Sequence, residues 1–166
     1  MELQKVSRRY RIRLLEEADV DDILRLSEGN PMFYQYCPPV ATRESILNDM
    51  KALPAGKLEV EKYYVGFFEN KKLIAVMDMV FGYPDGEAVY IGLFMVEHKV
   101  QGCGIGSIII KEYADYMCTL GKKTIQLAFA KGNSQSEAFW QKNGFVKTGK
   151  EVENDGYIAV CMKRDL

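Results

Sequence analysis

The feature that most constrains this chain is a change of hydrophobic period. Ala88 to Val96 is a nearly unbroken apolar run, the pattern of a buried strand. From Gly104 to Leu120 the apolar residues instead recur at threes and fours, through Ile105, Ile108, Ile109, Tyr113, Tyr116 and Met117, before Gly121 ends the repeat. The two patterns are joined by Gln101-Gly102-Cys103-Gly104-Ile105-Gly106-Ser107. Glycines at such a junction let the backbone turn sharply and approach a ligand, while the start of the helix adds unpaired N–H groups and a partial positive charge. The segment is therefore predicted to seat an anion such as a phosphate.

Two common phosphate motifs fail by counting. A GxGxxG beginning at Gly102 needs glycine where Ser107 stands, one beginning at Gly104 needs it at Ile109, and no GxxxxGK occurs. A nucleotide-binding oxidoreductase is disfavoured on the same count.

The remaining elements follow from periodicity and turn chemistry. Arg9 to Leu14 reads as a strand and Glu16 to Ser27 as a helix stopped by Gly29, Asn30 and Pro31; Met32 to Tyr36 reads as an aromatic loop, and a second helix starts at Thr42. Tyr63 to Phe68 and Leu73 to Phe81 form a predicted hairpin, and Tyr83-Pro84-Asp85-Gly86 turns the chain into the Ala88 strand. Thr124 to Phe129 is a strand, Ser134 to Lys142 a helix stopped by Gly144, Phe145 to Lys147 a short strand, and Tyr157 to Met162 a last strand after Asn154-Asp155-Gly156. The order is β, α, α, β, β, β, α, β, α, β, β, with no linker, repeat or low-complexity tract, so residues 1–166 are expected to form a single domain.

Composition narrows the function classes. Twenty-two basic against 23 acidic residues give no global field for nucleic acid or an anionic membrane, and no apolar run reaches membrane-spanning length. Cys37, Cys103, Cys118 and Cys161 are scattered, with His98 the one histidine, so neither a zinc site nor a disulfide framework is indicated, and the expected setting is the reducing cytoplasm without a metal.

Gln101, Gly104 and Gly106 fill the three specified positions of the pyrophosphate loop of the GNAT (Gcn5-related N-acetyltransferase) superfamily, which the stretch Val96 to Ser107 resembles. Downstream, Asn133, Ala138, Phe139, Trp140, Gly144 and Phe145 resemble that family's second segment, and the element order is similar from first strand to last. The resemblance implies an α+β fold: a mostly antiparallel mixed sheet of about seven strands with four helices, splayed between the fourth and fifth strands. It implies acetyl-CoA as co-substrate and transfer of its acetyl group to a primary amine, of a small molecule or a peptide, by direct attack through a tetrahedral intermediate. The cofactor would be held by backbone at Phe94, Met95 and Val96, by Gln101, Gly102, Cys103, Gly104, Ile105, Gly106 and Ser107, and by Asn133 and Trp140. The amide of Phe94 or Val96 would donate to the oxyanion, a contribution of roughly 3–4 kcal/mol.

Some residues depart from that pattern or leave alternatives open. Trp140 stands where the family commonly places a tyrosine acid, and an indole N–H cannot deliver its proton at neutral pH. Asp78 interrupts an apolar strand and is the first candidate base, the alternative being an exposed strand residue; Glu87 is the second candidate. His98 reads as a loop residue. Phe33, Tyr34 and Tyr36 either meet the acceptor or cap the core. A second class of function, a catalytically silent acyl-CoA-binding sensor, follows from Trp140 and the lack of an unambiguous base. The late strand Tyr157 to Met162 is expected to offer an edge for pairing with a second copy.

Overall fold

The three early helices begin in different ways, and only the third has a side chain capping its first N–H groups. Asp19 accepts from the Glu16 N–H at 2.9 Å in the turn that leads into α1 (Val20–Glu28). Thr42 and Ser45 bond each other's backbone reciprocally at the start of α3 (Arg43–Lys51), an arrangement worth about 1 kcal/mol. Between them Pro31 opens a short helix, α2 (Pro31–Tyr36). Proline is suited to a first helical turn because its missing N–H has no partner there in any case. The aromatic segment expected to be a loop is thus helical, and the helices number five, with α4 (Ile105–Thr119) and α5 (Ser134–Lys142) later in the chain.

The computed structural model describes residues 1–166. Its strands are β1 (Arg11–Leu14), β2 (Lys62–Glu69), β3 (Lys72–Phe81), β4 (Ala88–Val96), β5 (Thr124–Ala130), β6 (Val146–Asn154) and β7 (Tyr157–Asp165). They form one mixed α+β sheet in the order β1-β2-β3-β4-β5-β7-β6, antiparallel except where β4 runs parallel to β5. β7 lies between β5 and β6, so the sheet edge on this side is β6 and not the last strand, whose backbone is already paired on both sides.

Two apolar layers hold the helices. On one face Ile109, Ile110, Tyr113 and Met117 of α4 pack with Val65, Met77, Val89, Ile91 and Ile125 in a buried cluster of 24 residues. On the other, Val20, Ile23 and Leu26 of α1 and Ile46 of α3 pack with Tyr64, Val76 and Met95 in a cluster of 10. Side chains of a strand alternate between faces, so β3 contributes Met77 to the first layer and Val76 to the second, and its two-sided burial explains its unbroken apolar pattern.

Candidate active site

The register of β4 contains the feature that opens the site. Ile91 pairs with Met79 and Leu93 with Asp78, leaving Gly92 as an unpaired extra residue on β4. Such a bulge bends the strand that carries it. β4 and β5 accordingly stay paired only from Ala88 and Thr124 to Ile91 and Leu127; beyond that β4 continues to Val96 against β3 alone and β5 to Ala130 against β7 alone. This is the splay expected between the fourth and fifth strands.

Hydrogen-bond phase decides which backbone groups face the split. The Glu97 N–H donates to the Ile74 carbonyl at 2.8 Å, so Met95 and Leu93 share its orientation toward β3, and Phe94 and Val96 turn their N–H and C=O groups the other way. Across the gap, the bond from the Lys131 N–H to the Ile158 carbonyl sets the phase that turns Ala128 and Ala130 toward the split, with the Ala130 carbonyl already accepting from the Asn133 N–H at 3.1 Å. The Val96 carbonyl is likewise engaged, by Gln101 Nε2 at 2.8 Å and Asn30 Nδ2 at 3.2 Å. The amides of Phe94 and Val96 and the carbonyl of Phe94 are left to an added partner.

At the end of β4 the glycine loop leads into α4. Gly102 and Gly104 adopt φ of +76° and +81°, values that L side chains avoid. No N–H from Gly102 through Ser107 donates to any protein acceptor. Gly102, Cys103 and Gly104 are exposed, Ile105 to Ser107 half-buried. A row of free N–H groups at the start of a 15-residue helix fits a diphosphate in number, polarity and access. Gly106 is required by proximity, since a Cβ there would lie 3.0 Å from the Phe139 ring.

The predicted cofactor residues divide into those that reach this seat and those that brace it. The Gln101 side chain donates to Asn30 Oδ1 at 2.6 Å as well as to Val96, so it ties the loop to the end of α1 and β4. Asn133 is buried and caps α5 through Oδ1, accepting from the Ser136 N–H at 3.0 Å, while its Nδ2 makes no bond to the protein. Met95 points into the layer under α1, so only its backbone belongs to this region. Trp140 is 6% exposed and packs edge-on against Phe139 and Phe145, at centroid distances of 5.0 and 5.1 Å. It supports the rings beside the split. Phe139, stacked 6.0 Å from Phe94, is the aromatic that stands between loop and strand.

Of the candidate bases, Asp78 lies beside the bulge. Its Oδ2 accepts from Lys62 Nζ at 2.7 Å, with side-chain exposures of 14% and 6%, and its Oδ1 is buried with no hydrogen-bond partner. It is not the exposed strand residue that one-sided burial of β3 would have made it. Burial pushes the Asp78 carboxyl up from its usual range, against the hydrogen bond and charge of Lys62, and Asp49 on α3 adds to the rise. Burial also raises the Asp49 carboxyl and the Tyr64 phenol. Glu87 is exposed in the turn before β4, five residues from Gly92, or roughly 17 Å along the strand. The fold does not bring it to the bulge.

The aromatics of α2 serve different places. Phe33 and Tyr34 meet edge-on at 5.0 Å and pack into the layer under α1. Tyr36 lies over Gly132, where a Cβ would be 3.7 Å from its Cε1. With Asn30 held at Val96 and Tyr36 over Gly132, α2 spans the open end of the split from β4 to β5. His98 is exposed in a single turn ahead of the glycines. Sequence reasoning missed Lys62, Gly92 and the bracing role of Asn30; the sole signal for Gly92 was a glycine inside a strand pattern.

Comparison with known proteins agrees with this geometry. Residues 27–145 match the model of the acetyltransferase (GNAT) family. An acetyltransferase from Thermus thermophilus superposes with a TM-score of 0.76 at 19% identity, over 95% of this chain and 97% of that one. PaiA N-acetyltransferase from Thermoplasma acidophilum, solved in complex with coenzyme A, gives 0.66 at 19%, over 95% and 99%. A spermidine N-acetyltransferase SpeG chimera from Vibrio cholerae and hSSAT gives 0.70 at 19%, over 94% and 95%. A search of curated proteins finds no match. The matched family model spans both the split and the glycine loop, and on that ground this chain belongs to the GNAT acetyltransferase family.

Proposed function

We propose that this protein is an acetyl-CoA-dependent N-acetyltransferase acting on a primary amine of a small molecule or peptide, in the cytoplasm. The observation that carries the reading is the uninterrupted run of unpaired N–H groups from Gly102 to Ser107. Those groups would hold the pyrophosphate. The free Phe94 carbonyl and Val96 amide, with the Asn133 side-chain amide, would bind the pantetheine arm as an added strand binds a sheet edge. Bound there, acetyl-CoA supplies a thioester, an acyl donor with a good leaving group.

The chain's own groups then divide the work. The Phe94 amide, turned into the split by the bulge, donates to the developing oxyanion. Asp78 takes the proton released as the amine becomes bonded to the acyl carbon. Trp140 takes no part in proton transfer, and a thiol with pKa near about 8.5 leaves as its thiolate without a strong acid. One structural relative is a spermidine N-acetyltransferase, which makes polyamines reasonable first acceptors to screen, alongside peptides and aminoglycosides.

The test is calorimetric titration with acetyl-CoA followed by a screen of such amines for release of free CoA thiol. Binding with release on at least one amine is expected. Absence of acetyl-CoA binding refutes the reading, and tight binding with no release across the panel supports the silent acyl-CoA sensor instead.

A further inference from the structure

We infer that Lys62 is a positioning residue of the transfer site, its ammonium fixing the Asp78 carboxylate against the bulge at Gly92. This rests on the reading of Asp78 as the proton acceptor and adds the group that makes it one.

Three observations converge. The Lys62 to Asp78 contact is a diagonal cross-strand pair, since Lys62 stands opposite Val80 and Tyr64 opposite Asp78. Its 2.7 Å length is held inside the protein, the lysine being 6% exposed. The carboxylate lies so close over Gly92 that a Cβ there would be 2.7 Å from Oδ2, and Gly92 itself is exposed. The one residue type that leaves this opening occupies the bulge. A carboxylate is thereby presented at a window in the strand whose next free amide is that of Phe94.

Satisfaction of the pair is incomplete, and the deficit is informative. Oδ2 is bonded and Oδ1 is not, although native interiors rarely leave a buried polar atom unpaired. A pair retained only to pin β2 to β3 gains nothing from that spare oxygen. Because Oδ1 is closed off, the oxygen that lies at the Gly92 window is Oδ2, the one Lys62 holds, and a proton arriving there meets an atom whose direction the ammonium fixes. The other groups facing the carboxylate are Tyr64 on β2, Asp49 on α3 and the Gly92 backbone on β4, with Tyr34 of α2 behind Tyr64. Asp49 opposes ionisation of Asp78, so Lys62 is the single cation that favours it. In the step itself the amine nitrogen adds to the acyl carbon to form the tetrahedral oxyanion, the amine proton passes to Asp78, and collapse of the oxyanion breaks the C–S bond, the thiolate departing with its electron pair.

The experiment compares the parent with Lys62→Met and Lys62→Arg in two readouts. One is the pH profile of CoA release with an amine the parent accepts. The other is the ¹³C titration of the Asp78 carboxyl, which needs no acceptor. Lys62→Met is expected to move the acid limb and the carboxyl titration upward together by about 1 pH unit or more. It should lower kcat at neutral pH roughly tenfold with acetyl-CoA affinity retained, and Lys62→Arg should restore most of both. Retained affinity also shows that the variant is folded; if Lys62→Met does not fold, Lys62→Met combined with Asp78→Asn removes both charges, and turnover of that double variant at the parent rate overturns the inference. So does an acid limb that stays in place in Lys62→Met while the carboxyl titration moves. A parent that releases no CoA from any amine, with the titration shift still present, refutes the enzyme reading separately and leaves Lys62 without a reaction to serve.

Discussion

Gly104→Ala separates the conformation of the glycine loop from its contacts. Gly104 sits at φ 81° and ψ −2°, and a Cβ there would meet no atom within 4 Å. The substitution therefore has no steric component, and its cost is that of holding an L residue in the left-handed region, about 1–2 kcal/mol. That cost appears in one of two places. If the loop keeps its shape, the unliganded protein loses that much stability; if the loop relaxes, stability is spared and the N–H groups no longer converge. At about 1.4 kcal/mol per factor of ten, full relaxation weakens CoA binding about 5- to 30-fold, and the two losses together stay near 1–2 kcal/mol. Gly104→Asp adds a negative charge at the phosphate seat and should abolish binding with the fold intact. Gly121→Ala is the control: it is also left-handed, at φ 75°, with nothing within 4 Å, but lies past the far end of α4. Calorimetry with CoA and denaturant melts without it would show a comparable stability loss for Gly121→Ala and no loss of affinity. Parent-like CoA affinity in Gly104→Asp would refute the assignment of the loop.

Asn30→Ala removes donors to the Leu26 and Val96 carbonyls and the acceptor for Gln101, and should cost about 1–3 kcal/mol in urea melts, with weaker CoA binding as Gln101 comes loose. Trp140→Ala empties a site among Phe94, Phe139 and Phe145 and should cost about 3–5 kcal/mol by the same measurement. Asp19 is bonded by Arg13 through both nitrogens at 2.6 Å, and that hydrogen bond holds its carboxyl below the usual range. A depressed folded pKa contributes stability above the unfolded value of about 3.9 that is lost as pH falls through the folded one. Asp19→Asn should therefore cost about 1 kcal/mol at pH 7, modest because Arg13 is 44% exposed, with the gap to the parent narrowing in melts as pH falls below the unfolded value of about 3.9.

The sequence made the order of strands readable because each strand carries its own local signal. Leu73 to Phe81 is apolar at nearly every position, and Tyr83-Pro84-Asp85-Gly86 marks its turn, so the hairpin and the strand after it needed no tertiary information. Ser134 and Lys142 were legible as helix ends for the same reason, with Asn133 before and Gly144 after. α2 was not. Its six residues, Pro31 to Tyr36, are too short for a hydrophobic repeat and rich in aromatics of low helix propensity; what holds them is contact at both ends, Asn30 on Val96 and Tyr36 over Gly132. β6 was read as far as Lys147 because every one of its residues is exposed, and an exposed edge strand has no apolar alternation to extend.

The site divides along the same line. The proposed anion seat was legible because it is contiguous: one loop and one helix start supply all of its N–H groups, and the glycines that shape it lie within five residues of one another. The proposed catalytic end is assembled across three strands, and there the sequence could present only an isolated anomaly, a carboxylate in an apolar run. Whether Asp78 faced solvent, an ion or a reaction depended on register. With the bulge at Gly92 the carboxylate overlies a glycine; in a regular ladder of the same strand the residues beyond Asp78 would be displaced by one, exchanging faces and turning the amide of Phe94 back toward β3. The same extra residue thus parts β4 from β5 and opens the window beside Asp78, and its accommodation as a bulge and not as a register slip keeps the Phe94 amide turned to the split. Deleting Gly92 would leave Leu93 opposite Asp78 and Phe94 opposite Met77, so the Phe94 amide keeps its direction while the bend and the glycine window are lost. Loss of turnover with weakened acetyl-CoA binding, in a protein that still melts cooperatively, is the outcome that this geometry requires, and parent-like turnover refutes it.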